Sequence, residues 1–309
     1  MSRRPGGLIL RAGLELVDAL VGLLPRGLAY RLADLLGNAW YRFAPRRRRL
    51  VAANLARVYE ARGQRIGPGE LRRVVRAAFV AHARYYLEVV RLPHLDREEI
   101  EQNLVVEDAA GLEALIRGGG LIGVSAHFGN FEPAAVWLAR RGVRWLAPVE
   151  RVEPPELFAF LRSRRGARSM GGEMVPPPSG RRVLDALRQG ELVAIAADRD
   201  VMGTGRDVTF FGHPTKLPDS PAALAVLTGA PVVVGTLRRT APDRFTARAQ
   251  RVVWTPTGNR RADVAALTQR ITDALAEHIA QAPEQWWGAF QPIWPDLVPD
   301  QLPEGADRS

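Results

Sequence analysis

The segment Ser125-Ala-His-Phe-Gly-Asn-Phe-Glu132 contains two side chains whose types and spacing suit acid–base chemistry. A neutral imidazole can take a proton from a hydroxyl group, and a carboxylate bound to its other nitrogen fixes the tautomer. His127 and Glu132 are five positions apart, so on one continuous helix their side chains would point about 140° apart. We therefore predict that His127 lies on a turn before a helix and that Glu132, in the first turns of that helix, orients the imidazole.

Two other residues of this segment have predicted roles. Gly129 would let a substrate approach the backbone closely because it has no side chain. Asn130 would cap the helix, and we count it among the residues that contact the substrate. Taken alone, the spacing of His127 and Glu132 is a weak signal, since a histidine at the end of a strand is structural more often than catalytic.

The position of the segment in the chain strengthens the signal. Residues 121–126 and 192–197 are apolar runs typical of buried strands, and they are followed at once by His127 and Asp198. In a parallel sheet, ligands collect at the carboxyl ends of the strands. His127 and Asp198 are therefore expected at the functional edge of one sheet.

The rest of the chain predicts the elements that form this sheet. Apolar periodicity indicates helices over 70–92, 110–117, 130–141, 154–165, 179–189, 221–228 and 261–281, and strands over 104–106, 121–126, 145–149, 173–175, 192–197, 208–211, 232–238 and 245–254. Strands that alternate with helices predict an α/β fold with a mainly parallel central sheet flanked by helices.

The N-terminal region predicts contact with a membrane surface. Charged residues interrupt the apolar stretch 8–40 too often for a spanning helix, which needs about 20 apolar residues. Pro25 and Gly27 divide it into two amphipathic helices, and aromatic residues between 40 and 43 precede four arginines at 46–49. These features suit a helix that lies in an anionic lipid interface. The alternative is that the two helices only cap the core.

Composition limits the classes of function. The chain has 309 residues and no cysteine, which excludes disulfides, thiolate zinc sites and a cysteine nucleophile. The net charge is +10, and residues 1–100, with 19 arginines against 9 acidic residues, carry all of this excess. We predict a helical membrane-associated region over 1–100, an α/β domain over 101–295 and a tail over 296–309.

Several stretches occur in an order that is typical of one family. They are residues 125–132 quoted above, Arg162-Ser-Arg-Arg-Gly166, Ala197-Asp-Arg-Asp200, Val208-Thr-Phe-Phe-Gly212, Pro221-Ala-Ala-Leu-Ala225 with Thr228-Gly-Ala-Pro231, Asn54-Leu55 and Pro283-Glu-Gln-Trp286. Together they resemble the bacterial late lipid A acyltransferases and the related phosphatidylinositol mannoside acyltransferases, within the lysophospholipid acyltransferase superfamily. The resemblance implies a glycerolipid acyltransferase-like α/β fold.

It also implies roles for the two central residues. His127 would deprotonate an acceptor hydroxyl, which attacks the thioester of an acyl-CoA or an acyl carrier protein, and Glu132 would orient and charge-stabilise His127.

Four other residues have roles by the same resemblance. Arg164 would bind an anionic group or support the site, with a solvated helix end as the alternative and Arg162 as a nearby rival for the role. Asp198 would bind a sugar hydroxyl of the acceptor, with a helix cap or an ion pair with Arg199 as the alternative. Phe210 and Phe211 would line the acyl pocket, although two aromatic residues on a strand are as often plain core.

The implied reaction is acyl transfer to a hydroxyl of a membrane glycolipid, either phosphatidylinositol mannoside-like or lipid A-like. It would occur at the cytoplasmic face of the bacterial inner membrane, on a peripheral or monotopic protein. The thioester supplies the activation, so neither a cofactor nor a metal is expected.

Other classes of protein fit the sequence less well. Gly123-Val-Ser-Ala-His127 is close to the nucleophile elbow of an α/β-hydrolase, which would make Ser125 the nucleophile of a lipid esterase, but the fifth position should be small. A metal-dependent enzyme would need a second histidine ligand near His127. A non-catalytic basic membrane-binding protein would use the same N-terminal third, whereas nothing there resembles a nucleic-acid motif.

Overall fold

Four helices form the N-terminal third of this computed structural model, which describes residues 5–150, 154–164 and 171–297, without the side chains of 5–9 and 164. They are α1 (Pro5–Leu23), α2 (Arg26–Phe43), α3 (Pro45–Ala61) and α4 (Pro68–Arg91). Pro25 separates α1 from α2, as predicted, and α3 and α4 each begin with a proline. A proline suits the first turn of a helix because its missing N–H would have no partner there.

The helices and strands of the α/β part follow. In chain order they are the 3₁₀ turn Leu92–His94, α5 (Arg97–Gln102), β1 (Leu104–Val106), α6 (Ala109–Arg117), β2 (Leu121–Ser125), α7 (Glu132–Arg140), β3 (Trp145–Pro148), α8 (Pro155–Arg164), β4 (Gly172–Val175), α9 (Gly180–Arg188), β5 (Leu192–Ala196), β6 (Arg206–Phe210), β7 (His213–Leu217), α10 (Ser220–Thr228), β8 (Val232–Ala241), β9 (Arg244–Val252), α11 (Arg260–Ile279) and the 3₁₀ turns Pro283–Gln285 and Trp287–Phe290.

Among the described residues, seven strands form the central sheet in the order β1-β9-β8-β2-β5-β3-β4. The hairpin β8–β9 is antiparallel, and the other neighbouring pairs are parallel. The prediction of a mainly parallel sheet flanked by helices is therefore confirmed. The central strand β2 runs in register with β5, so that Ser125 is opposite Ala196.

A separate hairpin, β6–β7, forms a two-stranded sheet. Its turn residues Phe211 and Gly212 have φ angles of 49° and 77°. Positive φ at both central residues is typical of the tight turns whose twist matches that of the flanking strands.

One hydrophobic core joins the helices to the sheet. Leu55 of α3 and Phe79 of α4 belong to the same buried cluster as Ile122 of β2 and Leu275 of α11. The C-terminal segment that follows α11 also enters this cluster, most deeply with Trp286. Helices α3 and α4 therefore share one core with the sheet.

The described helices include none that is both long enough and apolar enough to cross a membrane.

Candidate active site

His127 and Asp198 lie side by side at the carboxyl edge of the sheet. Each comes two residues after the end of its strand, His127 after β2 and Asp198 after β5. Because β2 and β5 are parallel and in register, their ends bring the two residues together. The prediction that both lie at this edge is confirmed.

The two side chains form a close hydrogen-bonded pair. His127 Nδ1 is 2.7 Å from Asp198 Oδ1, and the backbone N–H of His127 donates to the same oxygen at 3.0 Å. The indole Nε1–H of Trp286 donates to Asp198 Oδ2 at 2.7 Å. The carboxylate thus accepts from three donors, which hold its orientation, and it fixes the imidazole in turn.

Asp198 is fully buried and yet ionised. Burial alone would raise the pKa of its carboxyl group, but the charge of the His127 imidazole and the hydrogen bonds from His127 and Trp286 outweigh burial and lower the pKa below its ordinary value. An ionised carboxylate is only an acceptor, so Nδ1 of His127 carries a proton. In the neutral imidazole, Nε2 is then the nitrogen that can accept a proton from a substrate.

The C-terminal segment holds the turn that carries His127. The backbone N–H of Gly288 donates to the His127 carbonyl at 3.1 Å, and Phe128 forms an isolated antiparallel bridge with Trp286. A Cβ atom on Gly288 would lie 2.3 Å from Asp198 Oδ2. Only glycine therefore fits at 288 without displacing the carboxylate.

Gly129 is required by the protein's own backbone. Its φ is +55°, and a Cβ atom there would lie 1.8 Å from the carbonyl oxygen of Leu237 on β8. The predicted close approach is real, but it is made by β8 and not by a substrate. Gly129 also donates its N–H to the carbonyl of Gln285 at 2.9 Å.

Aromatic rings border the imidazole of His127, whose side chain is 16% exposed. The ring of Trp287 lies edge-on to it, with 4.7 Å between ring centroids. Trp287 in turn stacks on Tyr85 at 4.7 Å. An apolar wall beside a base keeps water away from the reacting atoms.

Comparison with known proteins identifies the family. The family model described as bacterial lipid A biosynthesis acyltransferase matches residues 11–294. The chain belongs to this family. It is therefore an acyltransferase, as the resemblance implied.

Curated relatives give a more specific likeness. The chain is 33% identical over 230 residues to a phosphatidylinositol mannoside acyltransferase of Mycobacterium tuberculosis, covering 71% of this chain and 69% of the relative. It is 32% identical over 228 residues to the protein of that name in Mycolicibacterium smegmatis, covering 72% of each.

The predicted partner of His127 needs a correction. In this acyltransferase, the carboxylate at Nδ1 of His127 is that of Asp198 and not that of Glu132. Glu132 is the first residue of α7, after the turn as predicted, and it is buried. Its expected part in catalysis stays a prediction.

The expected contact of Asp198 with a sugar hydroxyl stays a prediction. Both oxygens of Asp198 accept hydrogen bonds from the protein, and the side chain is fully buried. Asn130 is likewise buried, and its side chain contacts Glu88 and the backbone of Glu132. Asn130 is not the N-cap of α7: that position is occupied by Phe131, which forms no side-chain cap hydrogen bond. Asn130 Oδ1 nevertheless accepts from the N–H of Glu132, the first residue of α7.

None of the remaining predicted residues is seen beside the His127 imidazole in the described part of the structure. Phe210 and Phe211 are buried against Trp286, in the layer behind Asp198, so the plain core role is observed and the acyl pocket stays a prediction. The side chain of Arg164 lies outside the described residues, although its backbone ends α8. Ser125 Oγ donates to the carbonyl of Ala126 at 3.2 Å, which is not the contact of an activated nucleophile.

Proposed function

We propose that this acyltransferase moves a fatty acyl chain from the thioester of acyl-CoA or acyl carrier protein to a hydroxyl of a membrane glycolipid. The observation that carries the proposal is the His127–Asp198 pair at the carboxyl edge of the sheet. The mycobacterial relatives are phosphatidylinositol mannoside acyltransferases, which favours a phosphatidylinositol mannoside as the acceptor over a lipid A precursor.

The pair suits the proton transfers of this reaction. His127 Nε2 takes the proton of the acceptor hydroxyl as the oxygen attacks the thioester carbonyl. The tetrahedral intermediate collapses, the carbon–sulfur bond breaks, and the leaving thiolate receives the proton from Nε2. The products are an ester and a free thiol, and the imidazole returns to its neutral form.

Asp198 would stabilise the imidazolium that forms between the two steps. Its carboxylate lies at hydrogen-bond distance from Nδ1, and its low pKa keeps it ionised while His127 becomes charged. Trp286 holds the other oxygen, so that the carboxylate is already oriented before the substrate binds. Glu132 would act behind this pair, at the N-terminus of α7, where the helix dipole favours a negative charge.

Helices α1 and α2 would bind the membrane surface. Of the 16 large hydrophobic side chains exposed among the described residues, 10 lie between residues 10 and 43. Leu23 is 83% and Phe43 79% exposed, which is unusual for apolar residues unless they contact another apolar phase. The exposed Arg42 and Arg46 lie beside Phe43, where they would meet anionic head groups.

This docking gives a peripheral protein at the cytoplasmic face of the inner membrane, the side on which a soluble thioester donor would reach it. The acceptor hydroxyl would come from the bilayer and the donor from water. The two substrates would meet at His127.

The test is acyl transfer by purified protein to vesicles that contain phosphatidylinositol mannoside. Palmitoyl-CoA and palmitoyl-acyl carrier protein are compared as donors, with mass spectrometry of the lipid and colorimetric detection of the released thiol. The chain has no cysteine, so it adds no thiol background. His127→Ala should lower the rate by about 100-fold or more, which is the usual contribution of a general base.

Ser125→Ala is the matched control. Ser125 lies two residues from His127, and its hydroxyl contacts only a neighbouring carbonyl among the described residues. Its rate should stay within about twofold of the wild type, because the proposed mechanism gives this hydroxyl no role. Loss of activity in Ser125→Ala with normal activity in His127→Ala would instead support the esterase alternative.

A further inference from the structure

A buried ion pair lies behind the active-site turn, defined here as residues 127–132. Glu88 of α4 and Arg239 of β8 form it, and each side chain is 4% exposed. Arg239 Nη2 donates to Glu88 Oε2 at 2.7 Å, and Arg239 Nε donates to Oε1. This two-point contact joins the N-terminal helices to the sheet.

Glu88 reaches the turn through Asn130. Asn130 Nδ2 donates to Glu88 Oε2 at 3.0 Å, while Asn130 Oδ1 accepts from the Glu132 N–H at 3.0 Å. The backbone N–H of Asn130 also donates to the Leu237 carbonyl. The amide of Asn130 thus ties the last part of the turn to Glu88.

Arg239 reaches the same turn from the other side. The backbone N–H of Arg239 donates to Gln285 Oε1 at 2.8 Å, and Gln285 Nε2 donates to the backbone carbonyl of Arg239 at 2.9 Å. The Gln285 carbonyl then accepts from Gly129 at 2.9 Å. The side chain of Glu88 and the backbone of Arg239 are therefore both linked to the backbone that follows His127.

A buried ion pair contributes little to stability by itself. Taking two charges out of water offsets most of their attraction, and an apolar pair of the same size is often at least as stable. The hydrogen bonds of Glu88 and Arg239 lead instead to Asn130 and Gln285, which hold the turn.

We propose that Glu88 is a positioning residue for acyl transfer, because through Asn130 and Arg239 it keeps His127 aligned with Asp198. The inference rests on the proposed function, in which the imidazole acts as the base. It assigns a role to a side chain that lies behind the site.

The chain offers a matched control in Tyr30 of α2. Its hydroxyl lies 2.8 Å from Glu88 Oε1 and 2.8 Å from Asp243 Oδ1, whereas Asn130 contacts the other oxygen of Glu88, Oε2. Tyr30→Phe therefore removes a buried hydrogen-bond partner of Glu88 and leaves the links to Asn130 and Gln285 in place.

The test compares the Tyr30→Phe control with two variants that should loosen the active-site turn. Glu88→Met/Arg239→Met removes the ion pair without leaving an unpaired charge, and methionine has a similar volume. Asn130→Asp keeps the oxygen that accepts from the Glu132 N–H but replaces the amide donor to Glu88. Both should fold, with kcat about tenfold or more below wild type and KM within about twofold, whereas Tyr30→Phe should keep kcat within about twofold.

A second readout does not depend on acyl transfer. In proton NMR spectra of histidine-labelled protein, the Nδ1–H that His127 donates to Asp198 should give a low-field signal, which weakens or disappears in both turn variants and persists in Tyr30→Phe. If the wild type transfers no acyl group, the proposed function fails while this signal still tests the positioning.

Three results would overturn the inference. The first is wild-type kcat, or an unchanged His127 signal, in folded turn variants. The second is a raised KM with unchanged kcat, which would indicate a binding role. The third is an equal loss of kcat in Tyr30→Phe, which would indicate a general effect of packing.

Discussion

Replacement of His82 by phenylalanine should make the protein more resistant to acid. His82 of α4 is 7% exposed, and its ring stacks on those of Tyr86 and Trp287. Within the part of the chain that the structure describes, neither ring nitrogen has a hydrogen-bond partner. Burial first, and then the charges of Arg47 and His127, lower the pKa of His82 from 6.5 to about 3.

The size of the effect follows from this difference in pKa. Below pH 6.5 the unfolded chain binds a proton at His82, whereas the folded protein does not until the pH falls to about 3. The stability that His82 contributes is therefore present above its unfolded pKa and is lost as the pH falls through this window. Between pH 7 and pH 5, His82 therefore lowers the free energy of unfolding by about 2 kcal/mol.

His278 lowers the free energy of unfolding by a similar amount over this pH range, and it is still present in His82→Phe. Burial and the charge of Arg248 lower its pKa to about 4, so it contributes about 2 kcal/mol over the same range. The lowered pKa of Asp198 acts only near and below its ordinary value of 3.8, outside this range. The wild type should therefore lose about 4 kcal/mol from the two histidines, and His82→Phe about 2 kcal/mol.

The assay is the free energy of unfolding in urea at pH 7 and at pH 5 for both proteins. At pH 7 the variant should be at least as stable as the wild type, because phenylalanine fills the aromatic site and no hydrogen bond is lost. An equal pH dependence in the two proteins, within about 0.5 kcal/mol, would refute this reasoning.

Two further predictions concern the site and the docking surface. Trp286→Phe removes the hydrogen bond to ionised Asp198, worth about 1.5–3 kcal/mol, and should lower kcat about tenfold or more. An unchanged kcat in the folded variant would show that the indole does not orient the carboxylate. Leu35→Glu on α2 should weaken binding to anionic vesicles in a flotation assay, whereas Leu227→Glu, at a leucine that is similarly exposed on α10, should not. Equal binding by both variants would show that α2 does not contact the membrane.

The sequence predicted the positions of His127 and Asp198 but not their contact. Both follow apolar strands, and that pattern is local. Their pairing joins residues 71 positions apart and depends on the parallel register of β2 with β5, which periodicity does not reveal. Along the chain, the carboxylate of Glu132 is nearer to His127 than that of Asp198, which made it the predicted partner. In the structure, the turn at Gly129 packs against Leu237 of β8, and the imidazole pairs with Asp198.

Two elements had weak local signals. Helix α3 begins with a proline and four arginines, and its buried residues, such as Leu50 and Leu55, come only after that charged run. Strand β7 contains Pro214, which cannot donate to a ladder and so argued against a strand. Among the described residues that strand pairs with β6 alone, where one missing donor is tolerated.

The role of Trp286 had no periodic signal at all. It lies in an irregular segment, and its contact with Asp198 spans 88 positions. Only the family resemblance, which includes the stretch Pro283-Glu-Gln-Trp286, pointed to this part of the chain. Residues that act through one long-range hydrogen bond leave no trace in local patterns.

The most direct test of the central claim is the transfer of palmitate to phosphatidylinositol mannoside by Asp198→Asn and Glu132→Gln beside the wild type. Our account predicts that the wild type forms the acylated lipid and that Asp198→Asn, folded like the wild type, forms it about 100-fold or more slowly. Near-normal transfer by Asp198→Asn, with Glu132→Gln alone inactive, would contradict it.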